Sequence, residues 1–233
     1  LTLEYLSNIE LYFVSSLSKD DKSFQLVAEE FHHATKVMRN KSGDTIFATD
    51  GSGKIYEGLI SKIEKKSIFV DVLKSYSYKN RLENFTFCIP NLRNPDRFKF
   101  ALEKCTELGV NNFILFNSDR SVSRGFNVDR INKILLSAMK QSLQAFLPKV
   151  EIFDSVSRFN DIKVEKVLFE QNSENKLAEK KFDGAKNYYM IFGPEGGFSQ
   201  KEILEINPIL TLNLAVNRLR AETAIIKVAS IIS

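Results

Sequence analysis

The sequence predicts an α/β chain in two parts: a small β-rich barrel carrying one helix, followed by a domain built on a mostly parallel sheet. Three observations predict it. Short apolar runs with turn signals crowd residues 9 to about 74. From Phe85 onward strands alternate with helices. Near the C-terminus a glycine loop, Gly193 to Phe198, joins a buried strand to a capped helix, which is where open α/β sheets bind ligands.

In the first part the expected strands are Glu10–Ser15, Ser23–Ala28, Thr45–Thr49, Ile55–Ile63 and Ser67–Leu73. One helix, Glu29 to Asn40, interrupts them, with Phe31, Ala34, Val37 and Met38 at helical spacing. Asp50-Gly51 separates two apolar runs and reads as a hairpin turn. Residues 75–84 are polar and basic and form the expected linker, with residues 1–74 before it and 85–233 after it.

In the second part Phe85–Pro90 is a short apolar run. Pro95 opens a helix to Leu108, and Gly109 stops it. Asn112–Phe116, 150–153, 164–169, 187–192 and 209–214 read as strands, and 127–144 and 199–206 as helices. The charged segment Lys176–Lys186 reads as a solvated face. The last helix, from Ala221, is apolar nearly all round, with Lys227 the one charge after Glu222. Such a helix is buried on all sides, through a dimer or inside its own core.

The glycine loop has a physical logic. Gly196 and Gly197 open backbone angles closed to other residues and let a ligand approach the main chain. Pro194 stiffens the turn. Ser199 and Glu202 have capping-box spacing. A well-made turn and a ligand loop are equally good readings of the block alone. Two familiar phosphate loops are excluded. No window supplies G-x-G-x-x-G, and in the Walker-like run at 48–55 Ala48 and Ile55 stand where glycine and Ser/Thr are required.

Composition sets wide bounds. The 233 residues are 43% hydrophobic, enough for one or two domains with proper cores. No run approaches the roughly 20 apolar residues of a membrane span. LTLEYLSNIE lacks the basic n-region of a signal peptide, and the chain opens on Leu1 rather than Met, so residues upstream are expected. Cys88 and Cys105 have no metal-ligand spacing and read as buried thiols in a reducing cytoplasm. His32 and His33 point to different helix faces, and no metal is expected. The net charge is +4: residues 1–80 hold 11 basic and 11 acidic groups, and residues 81–233 hold 22 and 18. This permits nucleic-acid binding through local patches without requiring it.

Several blocks in this order resemble one family across essentially the whole chain. They are FHHATKVMRNKSGDTIFATDGSG at 31–53, EKCTELGVNNF at 103–113, SDRSV at 118–122, AMKQSLQAFLPKV at 138–150, GPEGGFSQKEI from Gly193, and LRAETA at 219–224. The chain resembles the bacterial 16S ribosomal RNA (uracil-N3)-methyltransferases of the RsmE type, in the SPOUT superfamily. The resemblance implies an N-terminal PUA-like β-barrel that binds RNA and a C-terminal SPOUT domain with a deep trefoil knot. It also implies a homodimer, S-adenosylmethionine as methyl donor, 16S rRNA of the small subunit as substrate, and a cytoplasmic location.

The same resemblance implies where the donor sits: in loops carried over as Phe169 and Glu170; Gly193, Pro194, Glu195, Gly196 and Gly197; and Leu214 with Leu219, Arg220 and Ala221. Methyl transfer to uracil N3 needs position and charge management, and a cation near the uracil oxygens would stabilise the developing anion. Arg220 and Arg39 are candidates for that cation or for RNA phosphate. Glu222 and Glu195 are candidates for a base or for orienting an arginine. RNA contact is expected from Arg39 and Lys41, with Lys62, Lys65 and Lys66, and from Arg93, Arg97, Arg120 and Arg124. Departures from the family pattern fall at Ala215, Asn217 and Arg218, at Lys140 and Gln144, and at Asn94 before Asp96–Arg97. Two alternatives stay open: a SPOUT methyltransferase acting on another base or on tRNA, and a non-enzymatic RNA-binding assembly protein.

Overall fold

The structure is a computed structural model that describes residues 8–18, 20–121 and 125–233. The chain divides into two compact units, residues 1–80 with 139–147, and residues 81–138 with 148–233.

The first unit carries a five-stranded sheet in the order β1-β3-β4-β5-β2, formed by β1 (Leu11–Phe13), β2 (Ser23–Val27), β3 (Thr45–Thr49), β4 (Lys54–Ile63) and β5 (Ser67–Ser77). β1 pairs parallel to β3, and the other pairs are antiparallel. The β4–β5 register shifts at Glu57/Gly58 and again at Ile60/Lys62. Such irregularities bend and twist a sheet. Gly58 sits at the first, where a Cβ would lie 2.5 Å from Val70 Cγ1. Tyr12, Phe24, Leu26, Ile46, Tyr56 and Val70 belong to the unit's buried core. β5 runs past Leu73 into the expected linker.

The expected helix 29–40 is reshaped. α1 covers Ala28–His32 and continues as a π turn over His33–Val37. Thr35 Oγ1 donates to the Phe31 carbonyl at 2.8 Å, a contact that competes with the helix's own bonding. Arg39 then adopts φ 59°, which ends the helix.

The second unit is a six-stranded, all-parallel sheet in the order β11-β9-β10-β6-β7-β8. Its strands are β6 (Phe85–Pro90), β7 (Asn112–Phe116), β8 (Lys149–Phe153), β9 (Glu165–Phe169), β10 (Tyr188–Phe192) and β11 (Leu210–Leu212). Its helices are α2 (Pro95–Glu107), α3 (Val128–Gln141), α4 (Gln200–Ile206) and α5 (Ala221–Ile232). Strand side chains alternate between two apolar faces. Phe87, Ile89, Val167 and Met190 pack under α2 and α5, with Ala101, Leu102, Ile225 and Val228. Cys88, Ile114, Leu168 and Ile191 pack on the opposite face with Phe159 and Ile206. Both cysteines are free and buried, and burial pushes their thiol pKa values up.

Three local expectations are corrected. Helix 127–144 stops at Gln141, and Leu143 turns to φ 57° to pack with Leu11 and Ile55. Lys176–Lys186 is more than a solvated face. Leu177 is buried in a 3-10 turn, and Phe182 packs edge-on to Phe85 and Tyr188. β11 is shorter than 209–214 because Asn213 leaves the ladder. Its amide donates to the Gln171 carbonyl and its Oδ1 accepts from the Ala215 N–H at 2.8 Å.

α2 begins where Asn94 caps it, its Oδ1 accepting from the Asp96 and Arg97 N–H groups at 2.8 and 3.2 Å. An N-cap of this kind stabilises by about 1 kcal/mol. Asn94, a departure from the family pattern, thus has a local structural reason.

Candidate functional site

β9, β10 and β11 neighbour one another at one end of the sheet, and the loops at their carboxyl ends converge. They enclose a cavity of about 690 Å³, a size typical of small-molecule sites. The floor is apolar, from Phe169, Phe192, Leu214 and Leu219. Phe169 and Phe192 stack with centroids 4.9 Å apart. Charged groups stand around it: Glu170, Glu195, Arg97, Arg218 and Arg220.

The glycine loop forms one wall. The Gly197 N–H closes a turn onto the Pro194 carbonyl at 2.8 Å, and Gly197 holds φ 70°, which favours glycine. A Cβ on Gly193 would sit 3.4 Å from the Phe198 ring. Glu195, Gly196 and Gly197 are exposed. Such a loop leaves its backbone accessible at the cavity, as the ligand-loop reading of the block requires.

Side chains from other elements pin the loop. Arg120 Nη1 donates to the Gly196 carbonyl at 2.7 Å, and Arg218 Nη2 donates to the Glu195 carbonyl at 3.4 Å. The Arg93 N–H donates to Glu195 Oε1 at 3.1 Å. Glu195, whose purpose the sequence left open, is therefore a latch between this loop and the chain leaving β6.

Behind the loop Glu202 is buried and fully engaged. Its Oε2 accepts from the Ser199 N–H at 2.8 Å and its Oε1 from the Asp119 N–H at 2.9 Å, while Ser199 Oγ accepts from the Glu202 N–H at 3.2 Å. Burial pushes its carboxyl pKa up, but the hydrogen bonds, led by the Ser199 N–H, outweigh this and hold it below the ordinary glutamate value. The capping box read from the sequence is present and reaches further, to Asp119.

α5 opens on the cavity through Ala221 and Ala224. Glu222, nearly buried in its first turn, meets Arg97 of α2, with Nε 3.5 Å from Oε1. Among the described residues Arg220 has no ion-pair partner, and it is exposed.

The structure brings all the expected donor-loop residues to this one cavity: Phe169 and Glu170, Gly193 through Gly197, Leu214, and Leu219 through Ala221. Glu222 stands beside it through Arg97. Of the expected RNA-contact residues, Arg97 lines the cavity and Arg120 and Arg93 brace its loop. Arg39 and Lys41 belong to the first unit and are exposed, as are Lys62, Lys65 and Lys66. Lys62 is paired with Glu64 at 2.7 Å. Arg124 lies outside the described residues.

Sequence reasoning missed Asn213, which ties the 170–175 and 213–215 loops together; the Asn175 carbonyl also accepts from its N–H at 2.7 Å. A lone amide ending an apolar strand was the available signal. It also missed that Arg218 braces the glycine loop, although Arg218 had been singled out as a departure.

The set fits a ligand with one flat apolar part and one charged part. An apolar floor, exposed glycine backbone and several arginines offer no metal-binding cluster; among the described residues no group of three or more His, Cys, Asp or Glu could hold a metal. Nor does any helix among them have the length and apolarity to cross a membrane.

Comparison with known proteins agrees with this geometry. The family described as RNA methyltransferase domain matches residues 80–233, and RNA methyltransferase PUA domain matches residues 28–73. The chain is 26% identical over 229 residues to ribosomal RNA small subunit methyltransferase E of Bacillus subtilis, covering 91% of this chain and 90% of the relative. A probable rRNA-methyltransferase structure from Porphyromonas gingivalis superposes with TM-score 0.83 at 25% identity, over 95% of this chain and 96% of that one. A ribosomal RNA small subunit methyltransferase E structure from Neisseria gonorrhoeae, bound to S-adenosyl methionine, has the same fold, with TM-score 0.84 at 22% identity over 96% of each chain. With more than half of its length matched by that model and its cavity built from the matched region, the chain belongs to the RNA methyltransferase domain family.

Proposed function

We propose that the protein methylates N3 of a uridine in 16S ribosomal RNA of the small subunit, with S-adenosylmethionine as donor, in the cytoplasm and as a homodimer. The observation that carries the reading is the cavity at the ends of β9, β10 and β11, which the glycine loop and the 214–221 segment line together. The small-subunit rRNA relatives, at about a quarter identity over most of the chain, supply the substrate class. Strand β10 lies between β9 and β6 although it follows both in sequence, an arrangement that supports a knotted SPOUT domain. The matched PUA segment supports RNA binding by the first unit, with Arg39 and Lys41 among its contacts. We assign residues 1–74 to that PUA-like barrel, 75–84 to the linker and 85–233 to the catalytic domain.

The donor supplies a methyl group already activated on a sulfonium, so the protein's work is positioning and charge. Phe169, Leu214 and Leu219 would pack against the adenosine part. The backbone of Gly193, Pro194, Gly196 and Gly197 would lie close to it, with Glu170, Leu219 and Ala221 completing the wall. Uracil N3 must lose its proton as it takes the methyl, which leaves negative charge on the ring oxygens. Arg220, exposed at the cavity rim and free of an ion pair among the described residues, would stabilise that charge. Glu195 and Glu222 are each engaged, by the Arg93 N–H and by Arg97. That engagement favours positioning roles over proton acceptance.

Partial exposure of apolar residues on the packed helix pair α2 and α5 supports the dimer: Phe100 is 46% exposed and Ile231 45%. The test is mass spectrometry of rRNA nucleosides from cells lacking the protein. The expected result is loss of 3-methyluridine from small-subunit rRNA, and unchanged 3-methyluridine would overturn the reading.

A further inference from the structure

We propose that a second, smaller hollow beside the first residues of α2 is a nucleotide site: it takes the base and phosphate of an RNA residue flanking the one that enters the first cavity. This rests on the RNA-methyltransferase reading above and extends it to a site of its own.

The hollow has a volume of about 230 Å³. Arg93, Lys99 and Arg130 line it, Phe98 and Phe126 supply aromatic rings, and no carboxylate is among its lining residues. Lys99 is partly neutralised by Glu103 at 3.3 Å. Among the described residues neither Arg93 nor Arg130 has an ion-pair partner, and both are exposed. Asp96 and Asp129 lie in the first turns of α2 and α3 but do not line the hollow. Cations around aromatic rings are the chemistry that holds single-stranded nucleic acid, with phosphate on the arginines and a base on a ring.

The ring geometry limits how a base fits. The Phe98 and Phe126 centroids are 6.0 Å apart and the rings are tilted by 37°. A base slotted between two rings needs about 7 Å, twice the ~3.5 Å contact distance of carbon atoms. The base therefore lies on one ring face rather than between two.

Position relative to the first cavity makes the site specific. Arg97 lines the first cavity and Phe98 lines the hollow. Consecutive helix residues diverge by about 100°, so the start of α2 is the wall between them. Arg93, on the hollow, gives its N–H to Glu195 of the donor loop. One strand of RNA can therefore reach both sides of this wall with adjacent nucleotides.

The test uses the full chain, 16S ribosomal RNA measured by filter binding across a salt series, and S-adenosylmethionine affinity by calorimetry. Arg130→Gln should weaken RNA binding and lower the slope of log affinity against log salt by about 0.7, one single-strand phosphate. Phe126→Leu keeps an apolar side chain and removes the ring face; RNA affinity should fall about 5- to 50-fold with the salt slope unchanged. Both variants should keep donor affinity; Arg130→Gln should also keep the wild-type unfolding midpoint, while Phe126→Leu, which loses packing against the core, is measured at a temperature below its own midpoint. RNA binding equal to wild type in both variants overturns the proposal. A lowered slope with no effect of Phe126→Leu also overturns it, leaving a phosphate-contact surface. If wild type binds the RNA and these variants match it, only this site falls. If wild type binds neither RNA nor donor, the functional reading falls with it.

Discussion

Arg97 and Glu222 come from different helices and meet with Nε 3.5 Å from Oε1, which ties the start of α2 to the first turn of α5 at the cavity. The pair orients Arg97 toward the cavity and fixes the residue beside Ala221. Removing Arg97 alone leaves the nearly buried Glu222 charge unpaired, which costs more than breaking a surface pair. In a double-mutant cycle of Arg97→Ala and Glu222→Ala, a stability coupling of about 1 kcal/mol or more is expected. Additive effects would show that the two carry no shared interaction.

Arg220→Ala should leave fold and oligomer intact, because the side chain is exposed and without an ion pair among the described residues. Methyl transfer should fall by roughly 100-fold, the effect of removing one donor to a developing anion. Single-turnover rates with saturating donor check this. Near-normal turnover would remove Arg220 from the chemistry.

Gly197→Ala tests the glycine loop. No heavy atom lies within 4 Å of the added Cβ, so the cost is one of backbone conformation at φ 70°. About 1–2 kcal/mol of loop strain is expected, with weaker donor binding by calorimetry. Gly197→Asn should be milder, since asparagine tolerates this region. Equal donor affinity in the alanine variant and wild type would mean the left-handed turn is not needed.

Glu202 gives a pH dependence with a definite sign. Its folded carboxyl pKa lies below the unfolded value, so the folded state favours the charged form. That stability is present above the ordinary glutamate range of about 4.3 and is lost as pH falls through the folded value. Urea unfolding of wild type and Glu202→Gln should differ at pH 7, and the gap should narrow as pH falls through the folded value. A constant gap would place the effect in packing rather than charge.

Much of the second unit was legible because parallel strands buried on both faces are continuous apolar runs: Phe85–Pro90 and Asn112–Phe116 appear at the expected bounds. The capping box and the tight glycine turn were legible because glycines, a proline and a spaced Ser/Glu pair impose local geometry, whereas the residues expected to line the cavity with them came from the family resemblance. Illegible were features set by distant partners. Nothing local announces that Glu195 receives the Arg93 N–H, or that Asn213 links two loops. The π turn at His33–Val37 still puts Ala34 inward, as an α-helix would, with Thr35 Oγ1 on the Phe31 carbonyl, and a periodicity count does not register the change. Leu177 and Phe182 were hidden among lysines and acids, where charge outweighs two apolar side chains in any composition window.

The place of β10 between β9 and β6 bears on how the protein is made. A chain emerging from the ribosome has both flanking strands in hand once Phe169 is out, yet the strand that joins them has still to be synthesised. The sheet's middle is filled late, through contacts with β6 that span about a hundred residues, and such long-range pairing is slow to form. The glycine loop hangs directly from β10. The middle of the sheet and the glycine loop of the cavity therefore arrive together, and a chain stalled before Tyr188 has neither.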